Sequence, residues 1–434
     1  METLFKLQEH GVTVRNELVA GITTFLTMAY ILAVNPIMLG AVGNGMTPEA
    51  VFTATALSAG IATVVMAFAA NLPIALAPGM GLNAFFTYTV VFNLGYPWQT
   101  ALTAVFLEGI LFLLLSFFNV RETIVKAIPE NLKKAVAAGV GLFIALIGFE
   151  NAGLVVGDPV TLVKLGNVMS GGAVAAIISM VIVFVLYAYR IPGAILIGIL
   201  VGTLIGIPFG VTLIPVNFSP ISLPAAPLFC KFDFSSILTF RFFTVFFTFL
   251  FVDIFDTVGA LVGLTSQAGL IKKNGDIPHL KQAFLADAAG TVAGAALGTS
   301  TVTSYMESAA GIAAGGRTGL TALSSAVLFF MALFLSPLFL IIPAAATAPA
   351  LVLIGFLMIR SVADIDFKDP TEGIPAFLTM VIMPFAYSIA EGIVYGILSY
   401  VALKAFTQKF KDITAVTWII FGVFILRFML QWEQ

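Results

Sequence analysis

Six acidic residues stand inside long apolar stretches of this sequence: Glu108, Asp253, Asp256, Asp287, Glu307 and Glu391. An ionisable group in hydrocarbon costs several kcal/mol by most measures, so a functional role is the first explanation to weigh. Glu108, Asp287 and Glu391 also fit a blander one, at the ends of spans or in water-filled crevices. Asp253 and Asp256, in "FVDIFDTVG", are three apart and share one helical face, with no basic residue in the core of their stretch. A carboxylate without a cation partner can take a proton on one side of a barrier and give it up on the other. Proton-coupled transport requires such a group. Glu307 lies in "GTSTVTSYMESAAG", among small residues, and no Lys or Arg follows until Arg317.

The elements that must position these acids are membrane spans. The chain has 434 residues, 60% hydrophobic and 10% charged, where soluble domains carry about 25% charge. It has too little polar material to coat a soluble globule, and the bilayer is its main solvent. A net charge of −2 and the lack of a long basic run give nucleic acid no footing. One cysteine, Cys230, excludes an internal disulfide or a Cys-based cluster, and His10 and His279 both fall in polar flanks. No metal or cofactor is expected beyond a coupling proton. The N-terminus "METLFKLQEHGVTVRNE" is not a cleavable signal, so the first span acts as its own insertion signal.

Apolar stretches of span length occur at 17–42, 49–71, 73–92, 97–118, 132–149, 171–189 and 192–210. They continue at 236–266, 280–297, 300–315, 318–340, 344–360, 373–388 and 389–407, which predicts fourteen spans. A further stretch, 413–430, carries Arg427 and is placed in the membrane interface. With the N-terminus in the cytoplasm, Arg121, Lys126, Lys133, Lys134, Arg190, Lys272, Lys273, Lys281, Arg360 and Lys368 all fall in loops on that side. The opposite loops hold little beyond Lys164, Lys231 and Arg241, so both termini are expected in the cytoplasm of a cell-membrane protein.

The two halves repeat. "TFL" at 24–26 recurs at 248–250, and the same offset lays Asn83 on Glu307. "YRIPGAILIGIL" (189–200) aligns with "YSIAEGIVYGIL" (387–398). Seven spans per half is an odd number, so the second half is inverted, as in many secondary transporters. Spans three and ten are both broken. Pro73, Pro78, Gly79 and Gly81 forbid a regular helix through the start of "NLPIALAPGMGLNAFF", and the Thr/Ser/Val opening of "GTSTVTSYMESAAG" favours extended backbone. Each is read as a short strand feeding a half-helix, tolerated at membrane depth only inside protein or beside a cavity.

Glu307, Asp256 and Asn83, ringed by Phe25, Phe85, Phe255 and Tyr305, form a set of acceptors with one amide donor. Flat heterocycles with ring N–H groups suit it, because aromatic faces stack on them and carboxylates accept hydrogen bonds from their N–H groups. An inorganic anion would call for Arg or Lys. Metal cations also suit carboxylates, so an ion channel or cation exchanger fits the same chemistry. "GGRTG" (315–319) is no phosphate loop, and Arg317 is read as ending the short helix. No His–acid pair, metal motif or nucleophile constellation suggests an enzyme.

"ITTFLTMAYILAVNP", "NLPIALAPGMGLNAFF", "FVDIFDTVG" and "ESAAGIAAGGRTGLTA" closely resemble the AzgA-like purine permeases of the nucleobase–cation symporter-2 (nucleobase–ascorbate transporter) superfamily. The resemblance runs from "FKLQEHGVTVRNE" to about residue 407. It implies the uracil-permease type of fold, seven plus seven inverted spans. A core domain would comprise 17–118 and 236–340, a gate domain 132–210 and 344–407, with 408–434 as a tail. It also implies proton symport of adenine, hypoxanthine or guanine, elevator-like movement, and a homodimer through the gate. Carried over by position, the span-eight acid matches Asp256, the span-ten glutamate Glu307 and the span-three asparagine Asn83, with Asp253 as an additional acid. "MVIMPFAYSIAEGI" is similar to adenine-type members, whereas "FVDIFDTVG" also looks like hypoxanthine/guanine members.

Overall fold

The structure is a computed structural model that describes residue 2 and residues 4–117, 129–215, 218–270 and 279–432. The side chains of Phe117, Phe255, Val258, Val262, Ser266 and residues 426–432 are not among those described. Phe255, and the loop charges Arg121, Lys126, Lys272 and Lys273, therefore lie outside the described residues, as does the side chain of Arg427.

Each predicted stretch finds its element. The first is a pair of helices, α1 (Val14–Met28) and α2 (Ile31–Gly40), interrupted at Ala29–Tyr30. The second, α3 (Pro48–Val65), runs on in π-helical form to Ala70. Its start is set by Thr47, whose hydroxyl accepts from the Ala50 amide, with Pro48 behind it. The third is strand β1 (Leu76–Pro78), helix α4 (Met80–Ala84) and a π-helical continuation, Phe85–Asn93. Then come α5 (Trp98–Phe117), α6 (Glu130–Asn151), the hairpin β2 (Val155–Asp158) and β3 (Leu162–Leu165), α7 (Gly171–Ala188) and α8 (Ala194–Gly206).

The second half repeats the order with α9 (Phe240–Gln267) and α10 (Leu280–Leu297). Strand β4 (Val302–Ser304) then feeds α11 (Ser308–Ala313), and α12 (Gly319–Ala332) with the short α13 (Ser336–Leu340) makes the eleventh span. The last three are α14 (Ala344–Ile359), α15 (Pro370–Phe385) and α16 (Ile389–Phe406). Among the described residues eight segments are long and apolar enough to cross a membrane by length and composition alone. The stretch 413–430 becomes a helix, α17 (Ala415–Trp432), whose Phe424 packs edge-on against Phe247 of α9.

Packing divides unevenly. α6, α7, α8, α14, α15 and α16 lie against one another, while α1, α3, α5, α9 and α10 surround the two broken segments and α12 packs on α1 and α3. Within the first set, α6 and α14 cross at glycines: a Cβ on Gly355 would stand 2.5 Å from the Gly141 carbonyl oxygen. Gly355→Ala must force this crossing open, and we expect it to lower stability by about 1–3 kcal/mol. Melting curves in detergent check it, with Phe356→Ala, at the exposed neighbouring position, as the control.

Two ionic clasps fasten the chain after α16. Lys404, buried, pairs with Glu372 at 2.7 Å and Asp412 at 2.9 Å. Lys409 reaches Asp369, the N-cap of α15, at 2.6 Å and holds its carboxyl well below the usual carboxylate range.

The centre is the pairing of β1 with β4. The two strands are antiparallel, Leu76 opposite Ser304 and Pro78 opposite Val302. The Gly79 amide extends the ladder to the Thr301 carbonyl at 2.9 Å, and the Tyr305 amide to that of Ala75 at 3.0 Å. Backbone groups that no helix could satisfy are thus satisfied between the halves.

Candidate functional site

The ribbon determines which acids share a site. α4 leaves one of its ends with Gly79 as N-cap, and α11 leaves the other with Glu307 as N-cap. Asp256, on α9, faces the first: a Cβ on Gly79 would lie 3.7 Å from its Oδ2 and 3.0 Å from Thr303 Oγ1. Thr303 Oγ1 and that carboxylate thus flank the same glycine. Glu307 follows the other end of the same ribbon, two residues after Tyr305. Both residues are half-buried, and Met306, beside Glu307, is exposed.

Tyr30 and Tyr305 complete the arrangement, their ring centres 6.5 Å apart. The Tyr30 hydroxyl donates to Glu307 Oε1 at 2.6 Å, and the Tyr305 hydroxyl to the Pro78 carbonyl at 2.7 Å. Each tyrosine reaches from one half of the chain into the other. The sequence points to Tyr305, but nothing local to Tyr30 or Thr303 marks the partner of either.

Asp253 sits differently from its neighbour. Three residues along a helix leave about a 60° difference in direction, and here that difference takes Asp253 out of reach. It is fully buried and accepts from Thr257, whose hydroxyl also donates to Asp287 at 2.7 Å. Asp287 accepts from Ser304 as well, and Glu108 accepts from Thr301 at 3.4 Å. Glu108 and Asp287 are thus not at span ends. They are buried side chains bonded to hydroxyls of Thr257 and of the segment around β4. Glu391 does occupy a span end, in the first turn of α16, with its amide on Ser388.

Asn83 is fully buried and accepts from Ser300, while its amide nitrogen lies 3.4 Å from the Pro78 carbonyl. The repeat offset that lays it on Glu307 does not hold at this point. Gly79 is the N-cap that corresponds to Glu307, because a turn over Tyr305–Glu307 separates β4 from α11, whereas α4 follows β1 at once. Asn83 braces the turn into α4 from behind. Phe85 is fully buried edge-on against Phe249 of α9, 4.8 Å between centres, and Phe25 packs on Phe329 of α12 at 5.1 Å. Neither ring is placed by these contacts against the carboxylates. Arg317 does end the short helix, donating to the Ile312 carbonyl at 2.6 Å. Among the described residues no group of three or more His, Cys, Asp or Glu side chains is arranged to hold a metal ion.

Residues 15–395 match the Permease family (Xan_ur_permease). The chain belongs to that family. Among its relatives, adenine permease AdeQ of Escherichia coli is 43% identical, over 99% of this chain and 96% of its own. Guanine/hypoxanthine permease PbuG of Bacillus subtilis is 42% identical, over 99% of each chain. A putative permease of Methanocaldococcus jannaschii is 45% identical, over 99% of this chain and 98% of its own. Of solved structures, the transmembrane domain of a cyanobacterial bicarbonate transporter, BicA, superposes with a TM-score of 0.65 at 15% identity, covering 88% of this permease and 97% of that domain. SLC26A9 gives 0.62 at 12% identity, covering 91% and 66%. These two likenesses concern the fold alone: fourteen segments in seven-plus-seven inverted repeats, with the third and tenth broken.

Proposed function

We propose that this permease carries purine nucleobases across the cell membrane together with protons. The observation that supports it best is the pair of half-buried carboxylates, Asp256 and Glu307, at opposite ends of the ribbon, with the Tyr305 hydroxyl crossing from the end of β4 to Pro78 of β1. A purine presents ring N–H groups to such acceptors and a flat face to a tyrosine. The relatives' names, adenine permease and guanine/hypoxanthine permease, point to the same substrate class. Asp256 and Glu307 contact the base, and one of them carries the proton. Asp253, fully buried, is suited to relaying a proton rather than to touching substrate, and Asn83, Phe25 and Phe85 support the elements that carry the site from behind.

In this reading both termini face the cytoplasm. The set 17–118 and 236–340 moves as a core against a gate formed by 132–210 and 344–407, and the gate also joins two copies. The protein is a carrier and not an enzyme.

The test is uptake of labelled adenine, hypoxanthine and guanine into proteoliposomes under an inward proton gradient, each competed with a panel of purines and pyrimidines. Gradient-driven uptake displaced by purines alone supports the proposal. Cation flux without any organic substrate would replace it with an exchanger or channel.

A further inference from the structure

The geometry points to Tyr30 as the residue that positions Glu307 for substrate. Glu307 is poorly held by its own segment. The residues that follow it, Ser308, Ala309, Ala310 and Gly311, are too small to pack against a glutamate side chain, which has three rotatable bonds. Tyr305 has one hydroxyl proton, and that proton is committed to the Pro78 carbonyl. Tyr30 is different. It sits at the break between α1 and α2, 1% exposed, with its ring inside the main apolar cluster, so its hydroxyl has little freedom. That hydroxyl lies 2.6 Å from Glu307 Oε1.

Thr27 Oγ1, from the same span, lies 3.3 Å from the Glu307 carbonyl, but its one proton has a nearer acceptor in the Thr24 carbonyl at 2.8 Å, so the hold on Glu307 rests on Tyr30. The first span thus holds Glu307 by its side chain. With Oε1 occupied by a phenol fixed in protein, the carboxylate plane is set and Oε2 is the oxygen offered to a substrate N–H. Holding a binding group in its bound geometry raises affinity by removing the ordering cost from the binding step. The inference rests on the reading of Glu307 as a substrate contact, and its test separates the two.

Tyr30→Phe removes one oxygen and keeps the ring. Purified variants are compared for binding of labelled adenine and hypoxanthine in detergent, for uptake in proteoliposomes, and for melting temperature. Tyr30→Phe is expected to raise Kd and KM about tenfold, the worth of one hydrogen bond to a charged group, with Vmax per folded carrier and melting temperature nearly unchanged. In a Glu307→Ala background, which leaves the hydroxyl no acceptor at that position, the same substitution should change Kd less than about twofold, because it acts through that carboxylate. An unchanged KM with a lowered Vmax or melting temperature would make Tyr30 merely structural and overturn the inference. Equal effects of Tyr30→Phe in the two backgrounds would overturn it as well. If Glu307→Gln itself binds purines normally, the substrate-contact reading fails, and the role of Tyr30 fails with it.

Discussion

Glu307→Gln is expected to weaken purine binding by about 10–100-fold and to lower uptake at least as much, with the folded protein retained. The side chain keeps its shape and loses its charge and one acceptor oxygen. A hydrogen bond to a charged group contributes about 1.5–3 kcal/mol, and each 1.4 kcal/mol is tenfold. Stability should hold, because the residue is half-buried and the remaining amide oxygen can still accept from Tyr30. If Glu307 also carries the proton, uptake falls further than binding. Binding in detergent, gradient-driven uptake and counterflow without a gradient, measured on the same preparation, separate these effects. Retained counterflow with lost gradient-driven uptake would assign the proton to Glu307. Normal gradient-driven uptake would remove the residue from the mechanism.

The second large effect is on folding. Glu17, on α1, is fully buried and caps α12 from across the protein. Its carboxylate accepts from the amides of Arg317 at 2.8 Å, Thr318 at 3.2 Å and Thr321 at 3.1 Å, and from the hydroxyls of Thr318 and Thr321 at 2.8 and 2.7 Å. Helix N-termini need such acceptors, since their first amides have no partner in the helix. Glu17→Ala strands several donors in a buried site, each costing about 1–3 kcal/mol. Some will find new partners, so we expect a loss of about 3–5 kcal/mol, seen as reduced yield of monodisperse protein and an apparent Tm lower by several degrees. Glu17→Gln, which keeps one acceptor oxygen, should fall between the two. A melting curve for Glu17→Ala that overlays the parent would show that the cap contributes little.

The spans were legible because hydrocarbon imposes length and apolarity on every segment that crosses it. Spans three and ten were legible as broken for a local reason too, the Pro/Gly cluster before Asn83 and the β-branched opening before Glu307. What sequence could not supply was direction. Asp253 and Asp256 look alike at a spacing of three, yet Asp256 is half-buried beside Gly79 and Asp253 is fully buried in a hydroxyl network. Tyr30 carries no mark of its role, since its partner lies 277 residues away. Glu17 reads as an ordinary charge in a polar flank, and only the folded chain sets it against Thr318 and Thr321. The register between Asn83 and Glu307 failed because an extra turn in one half shifts the alignment where it matters most. Phe25 and Phe85 are aromatic and nearby in sequence to the right elements, but their rings meet Phe329 and Phe249 instead.

The ribbon of β1 and β4 has a consequence for how such a chain could have arisen. A seven-span half by itself would carry one three-residue strand with no partner, in a medium that offers its backbone no water. Such a half is not a folding unit. Here the two like strands pair antiparallel, and halves turned over relative to one another bring them together in that sense. A single-repeat ancestor would therefore have needed a second copy of itself inserted in the opposite orientation. Fusing the two copies into one polypeptide turned an encounter between molecules into a contact within one, and fixed their stoichiometry at one to one.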